Sequence, residues 1–424
     1  MDQETSNSDW VTILGRAAKG ETHDMKENIN YFNLLSIRDF LYRLNTGNIN
    51  DSKIKVHGCW GLDNVKTRIL KKLKPICLSN LGLWDFSEES TYFHIVYKNT
   101  LFMVSILMFI ELGDVNNLSY SLATISLEGE EPLLSYELIE YLKISAIATS
   151  NLKNKIIFIK EKEFKHRYLE STELLLPKDI SLGNIFLPPN IESQIMRFIA
   201  EINNYSPEKR EIKRQFRFLL NGLPGTGKSQ IISAIINAVY GKITTVILNG
   251  ADYRMTDIID FCKIFDPCLL VIDDIDFIAR KREENFNSNS LINFLHSLDG
   301  LFPESLFLIG ATNDKFLVDE AASRPGRFDM ILDITKIGEN NYLSLIKRET
   351  DDESLIELFN EEILSFMKDK NVTGAFIVNL IKQLISIKRI EGKVVYEDLM
   401  NLLKFTYEGF YIDPICLGRA VGFK

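Results

Sequence analysis

The chain has 424 residues, 46% of them hydrophobic and 25% charged, with a formal net charge of −9. This is the balance of a folded chain of several domains, and it excludes a fibrous or disordered one. The acidic excess also opposes bulk charge-driven binding of nucleic acid.

Residues 1–29 are polar and read as a loose leader, without the pattern of a secretory signal. Ser36–Leu44 reads as a helix capped by Ser36, with Ile37, Phe40, Leu41 and Leu44 on one face. Asn64–Lys74 reads as a second helix, basic and stopped by Pro75. From Thr91 the period changes to alternation. Tyr92–Tyr97 and Leu101–Leu112 read as strands joined at Lys98-Asn99, a hairpin turn, and Leu118–Leu127 reads as a third strand. Ser135 is the expected cap of a helix with Leu138, Ile139 and Leu142 inward, and Lys155–Lys160 reads as a further strand. Residues 30–170 are thus expected to form a separate α+β domain.

The longest apolar run, Leu101–Ile110, is closed by Glu111. A membrane-spanning helix needs about 20 apolar residues. Together with the leader this suggests a soluble, cytoplasmic protein with no membrane span. Cys59, Cys77, Cys262, Cys268 and Cys416 lack C-x-x-C spacing, and His57, His94, His166 and His296 lack ligand spacing. Buried thiols and structural histidines are expected rather than a metal centre.

Pro188-Pro189-Asn190 marks a stop and a new helix, Ile191–Asn203. Strands then alternate with helices: Arg217–Asn221, Ser229–Val239, Thr244–Leu248, Leu269–Asp273, Asn289–Leu298 and Leu306–Ala311. This order predicts a parallel sheet with crossover helices. The α/β domain spans 171–336. Four amphipathic helices are expected over 337–410 as a small lid, and 411–424 form a tail.

Gly222-Leu223-Pro224-Gly225-Thr226-Gly227-Lys228-Ser229, followed by Gln230, is G-x-x-x-x-G-K-[ST] between a strand and a helix. The glycines let backbone N–H groups turn inward, and the helix dipole adds positive potential, which makes a phosphate cradle. Lys228 is suited to the β- and γ-phosphates and Ser229 to Mg²⁺. Leu269–Asp274 is an apolar strand ending in two acids. Asp273 is expected to hold the metal, and Asp274 to polarise the attacking water. Asn313 ends another strand and is placed to orient that water. Ser323–Asp329 carries Arg324 and Arg327 beside a rigid Pro-Gly turn, suited to a developing phosphoryl charge.

The order of these motifs resembles the AAA ATPases, within the AAA+ group, over about residues 175–410. FLHSLDGL, IGATN and DEAASRPGRFD are similar to that clade's second region of homology, and Gly374-Ala375 resembles its lid signature. The resemblance implies a P-loop α/β module with a helical lid, ATP and Mg²⁺ as cofactors, and a homo-oligomeric ring, usually of six. ATP would sit at each subunit interface, with Arg324 and Arg327 acting on the neighbour's nucleotide. Two features depart from the pattern. Asp274 stands where the clade has glutamate, and only Ala251–Asp266 separate Gly250 from Pro267, a segment longer in threading unfoldases. The shortening, with the helix before the first strand, resembles the mitochondrial Rieske-protein translocase-like subgroup and its bacterial relatives.

The implied function is an ATP-hydrolysing ring that remodels or chaperones an unknown protein client. The alternatives are a threading unfoldase, with Tyr253-Arg254-Met255 as a reduced pore loop, and a nucleotide-gated scaffold with little turnover.

Overall fold

The computed structural model describes residues 24–29, 31–62, 70–72, 76–78, 83–85, 90–110, 118–126, 131–159, 172–178, 180–206, 217–249, 255–275, 306–313, 328–334, 341–370 and 372–410. In chain order, β1 (Met25–Ile29) and α1 (Tyr31–Asn45) precede β2 (Ile54–Leu62), β3 (Leu70–Lys72), β4 (Ile76–Leu78) and β5 (Leu83–Asp85). Next come β6 (Thr91–Tyr97), β7 (Thr100–Ile110), β8 (Leu118–Ser126), α2 (Pro132–Ala148), β9 (Ile156–Ile159) and β10 (Thr172–Leu175). Then follow α3 (Pro189–Asn203), β11 (Arg217–Asn221), α4 (Lys228–Val239), β12 (Thr244–Asn249), α5 (Met255–Ile264), β13 (Cys268–Asp273), β14 (Leu306–Thr312) and β15 (Met330–Asp333). The last elements are α6 (Tyr342–Glu349), α7 (Glu353–Ile356), α8 (Glu361–Asp369), α9 (Gly374–Glu391) and α10 (Tyr396–Phe410).

Two compact units result, one of residues 1–176 and 241–269, the other of 177–240 and 270–424. The first holds an antiparallel sheet in the order β1-β8-β7-β6-β2-β3. Lys98 and Asn99 both take positive φ, 47° and 67°, the backbone that a two-residue hairpin turn requires. Phe93, Ile95, Phe102, Val104 and Ile106 are fully buried within the sheet. In the same unit β9 pairs parallel with β12 and antiparallel with β10. The KIIFIK strand therefore extends a parallel pairing and does not join the antiparallel sheet.

In the second unit the strand order is β13-β14-β11-β15, with β11 parallel to both β14 and β15. Every residue of β11 and β14 is buried. Strands covered on both faces read as continuous apolar runs, which is why these were visible in the sequence. Helix α3 covers β11 through Phe198, whose ring lies 4.5 Å from that of Phe218. The helices from α6 onward share a separate core that includes Leu345, Ile346, Ile363, Phe376, Leu380 and Leu403. Asn360 and Thr373 cap α8 and α9 by accepting from the Ile363 and Phe376 amides. The α/β class with a helical lid and an antiparallel N-terminal sheet is thus observed.

Several expectations are corrected. Met25–Ile29, read as leader, is a strand, because it pairs with β8. Ser36 is buried inside α1, which starts at Tyr31, and Ser135 is buried inside α2, which starts with Pro132 in its first turn. Proline fits there because its missing N–H has no helical partner. Leu70–Lys72 is a strand on Trp60–Leu62, so Asn64–Lys74 is not one helix. The rest of that stretch lies outside the described residues, as does Asn289–Leu298. Strand β15 was not foreseen; it is four residues long, and its pairing with β11 makes it a strand. Among the described residues no helix is long and apolar enough to cross a membrane.

Candidate functional site

The carboxyl ends of β11, β13 and β14 converge in the second unit, the usual place for a site in an open parallel sheet. The loop after β11 turns from Gly222 into α4. Gly227, at φ +97°, occupies the left-handed region and starts the helix, and its carbonyl accepts from the Ile231 amide at 2.9 Å. Gly222 is required for a different reason. A Cβ there would stand 2.5 Å from the Ile334 carbonyl oxygen, in the chain just after β15. The loop thus has its backbone pressed against the sheet, and α4 directs its N-terminus into the space beyond.

Lys228 is buried at the base of this loop. Its ammonium donates to the Gly222 carbonyl at 2.7 Å, the Leu223 carbonyl at 3.1 Å and Asn313 Oδ1 at 2.8 Å. Asn313 Nδ2 donates in turn to Asp274 Oδ1 at 3.0 Å. An amide meets an ammonium with its oxygen and a carboxylate with its nitrogen, so this chain of bonds suits asparagine at 313. Asp274 itself has φ 56°. Aspartate tolerates this left-handed backbone better than most residues do. The next residue, Ile275, is held by its amide bond to the Ala311 carbonyl at 2.8 Å, which fixes the turn.

Ser229 Oγ donates to Asp273 Oδ2 at 3.1 Å. This pair of hard oxygen donors at the end of a buried strand suits Mg²⁺ and not a soft metal. Among the described residues no group of three or more His, Cys, Asp or Glu is placed to hold a metal ion. The remaining oxygens of an Mg²⁺ shell would come from water and phosphate.

These groups open into a cavity of ≈ 580 Å³. Its walls include Pro224 to Gln230, Asp273, Asp274, Asn313, Gly374 and Ala375. Ala375 touches the loop directly, its amide donating to the Gly225 carbonyl at 3.3 Å. Gly222, Leu223 and Thr226 shape the loop, with the Thr226 hydroxyl donating to the Leu223 carbonyl at 2.9 Å. The cavity's size and its polar end fit a nucleoside triphosphate with its metal.

Part of the cavity wall was not anticipated from the sequence. Ile185 and Phe186, Leu345 and Arg348 of α6, and Val378, Asn379 and Lys382 of α9 also line it. The stripe 375, 378, 379, 382 has helical spacing, so extending the Gly374-Ala375 signature along α9 would have found its last three members. Ile185 and Phe186 had no comparable signal.

Arg324, Arg327, Tyr253 and Arg254 lie outside the described residues, and Met255 opens α5. Asp329, which ends the arginine motif, is anchored on β11. It accepts from the Arg217 amide at 2.8 Å, and its own amide donates to the Arg217 carbonyl at 3.0 Å. Burial pushes its carboxyl above the usual range, against the pull of the Arg217 hydrogen bond.

Residues 218–336 match the family described as "ATPase family associated with various cellular activities (AAA)". The chain is similar to the proteasome-activating nucleotidase of Methanococcus vannielii, 28% identical over 238 residues that cover 51% of this chain and 56% of that one. It is also similar to the nucleotidase of the same name from Methanocaldococcus jannaschii, at 29% over 196 residues, 42% of this chain and 46% of the relative. The ATP-dependent zinc metalloprotease FtsH of Halothermothrix orenii is 25% identical over 235 residues, 47% of this chain and 37% of the relative. The chain thus spans little more than half the length of the first of these relatives.

Proposed function

We propose that this chain, which carries an AAA ATPase domain over residues 218–336, binds ATP with Mg²⁺ in the cavity, hydrolyses it, and works as a ring of copies on a protein client. One observation carries the reading: the bonded series Lys228–Asn313–Asp274 stands beside the Ser229–Asp273 pair at the mouth of a glycine loop.

In this reading the Gly225 and Gly227 amides of the loop Gly222 to Gly227 and the α4 N-terminus hold the phosphates, with Gln230 on the first turn. Lys228 holds the β- and γ-phosphates, and Ser229 and Asp273 hold Mg²⁺, which supplies charge neutralisation on the phosphate oxygens. Asp274 takes the proton of the attacking water, and Asn313 keeps that carboxylate aimed. Gly374 and Ala375 close the site from the lid. Arg324 and Arg327 act on the nucleotide of the neighbouring copy, as the family resemblance implies.

A protein client is supported by the relatives' names, which refer to proteasome activation and to a protease. The same names favour a second reading, a threading unfoldase. The narrower resemblance to the Rieske-protein translocase-like subgroup rests on the short Ala251–Asp266 segment and the helix before β11. It favours handling a client whole.

The test is phosphate release in ATP and Mg²⁺ by the full chain and by Asp274→Asn. The wild type turns over, and the variant binds ATP but releases phosphate about 100-fold or more slowly. A wild type that binds ATP without releasing phosphate would leave a nucleotide-gated scaffold instead. A folded client that loses its structure on added ATP supports threading, and one changed without unfolding supports the subgroup reading.

A further inference from the structure

Helix α2 is apolar on two faces. Leu138, Ile139, Leu142 and Ala146 are fully buried on the face that packs on α1 and β8. On the other face Leu133, Tyr136 and Ile144 are 73%, 50% and 65% exposed. The first and last of these lie about three helical turns apart, so the three form one stripe about 16 Å long. A lone exposed apolar side chain is ordinary. Three along one stripe, on a helix whose opposite face already fills the core, are surface that an interface uses.

The stripe has an acidic rim. Glu131 stands exposed just ahead of the helix, and Glu128 and Glu130 precede it in the sequence. Glu140 and Glu27 share the one ammonium of Lys143, at 2.7 and 2.8 Å, which leaves one negative charge over. Lys98 and Glu137 pair and cancel.

The bond from Lys143 to Glu27 also places the helix. It ties α2 to β1, which is one end of the sheet order β1-β8-β7-β6-β2-β3. The opposite end is β3. With neighbouring strands about 4.8 Å apart, the two ends are about 24 Å apart across the sheet. Strand β3 sets Lys71 opposite Gly61 and Lys72 opposite Trp60. It belongs to the stretch 64–74, which holds Lys66, Arg68, Lys71, Lys72 and Lys74 and no carboxylate. One end of the sheet is thus acidic and the other basic. A two-fold contact of α2 with α2 would set like charges together, whereas α2 of one copy complements the β3 end of another. A contact between different surfaces repeats from copy to copy and closes into a ring.

We propose that α2 is an interface between copies: the stripe of Leu133, Tyr136 and Ile144 docks on the β3 end of the neighbouring sheet, with its acidic rim facing the cations of 64–74. None of these residues lines the nucleotide cavity. The inference rests on the ring reading proposed above and names a surface that builds the ring.

The test uses the full chain in ATP and Mg²⁺. Sedimentation velocity gives the protein concentration at half assembly. Leu133→Ser with Ile144→Ser, and separately Lys71→Glu with Lys72→Glu, are each expected to raise that concentration about tenfold. Adding Glu131→Lys to the lysine reversal is expected to recover part of the loss, which damage to the strand alone would not allow. A second measurement keeps the test open where the lysine reversal fails to fold. Copies carrying Tyr136→Cys are mixed with copies carrying Lys71→Cys and treated with a short bismaleimide. Cross-linked dimers are expected in the mixture above the background of either variant alone. Linkage as strong in Tyr136→Cys alone would show helix meeting helix and overturn the head-to-tail contact. Assembly unchanged by the two serines, with no linkage in the mixture, would leave the stripe to a protein client and overturn the inference while the ring reading stands. A wild type that stays a single chain at every concentration overturns the ring reading itself, and the inference with it.

Discussion

At the glycine-loop end the cavity is built from backbone and from side chains that hold one another: Lys228 on Asn313, Asn313 on Asp274, Ser229 on Asp273. At the lid end it is built from side chains of three separate stretches, Ile185-Phe186, α6 and α9, gathered by apolar packing and by Arg348. The first end uses groups whose positions are dictated locally, by a strand end, a glycine turn and a helix start. The second exists only once the lid has folded. The first should govern chemistry and phosphate affinity, and the second should govern the response of the lid. Substitutions at the two ends should therefore fail in different ways.

The largest effect is expected from Lys228→Ala. It removes a buried cation from the phosphate end and leaves the Asn313 carbonyl oxygen without that donor. ATP turnover should fall by about 100-fold or more, and tripolyphosphate affinity should fall with ATP affinity. If ATP binding and turnover were unchanged, the glycine-loop end would not be the phosphate site.

A smaller and more discriminating effect is expected from Asp274→Glu. The family resemblance implies glutamate here, so a simple reading expects a gain. The geometry predicts a loss. The left-handed backbone at φ 56° suits aspartate better, and a longer side chain would displace the carboxylate from the 3.0 Å bond to Asn313. The rate constant for phosphate release should drop about tenfold, with ATP affinity kept. A faster enzyme would show that Asp274 is merely a shortened glutamate.

The smallest effect belongs to the lid end. Thr373 caps α9, so Thr373→Ala should cost the lid about 1 kcal/mol and lower its melting temperature by a few degrees, as followed by circular dichroism. Turnover at saturating ATP should hold while KM rises. Loss of turnover at unchanged KM would mean that the lid contributes to chemistry directly.

The same contrast explains what could be read from the sequence. Strands β11, β13 and β14 stood out because continuous apolar runs such as Leu269–Ile272 have few other solutions. The glycine loop stood out because Gly227 and Gly222 are needed by the backbone itself, one for its φ and one for the nearness of Ile334. The Lys98-Asn99 hairpin was legible for the same local reason. Ser36 and Ser135 misled because capping chemistry suggests a helix start, while packing carried both helices further upstream. Strands β1 and β15 depended on partners far away in the chain. The place of Ile185 and Phe186 in the cavity wall was illegible because Arg348, which meets Asn184 and Phe186, lies more than 160 residues on. The bond between Asn313 and Asp274 was likewise invisible, although each residue was singled out alone.

The most direct test of the account is ATP turnover per chain, measured over a wide range of protein concentration in Mg²⁺. The rate per chain should rise and then saturate, because in the proposed ring Arg324 and Arg327 of one copy would complete the site of the next. A rate near zero at every concentration, with ATP still bound, would contradict it.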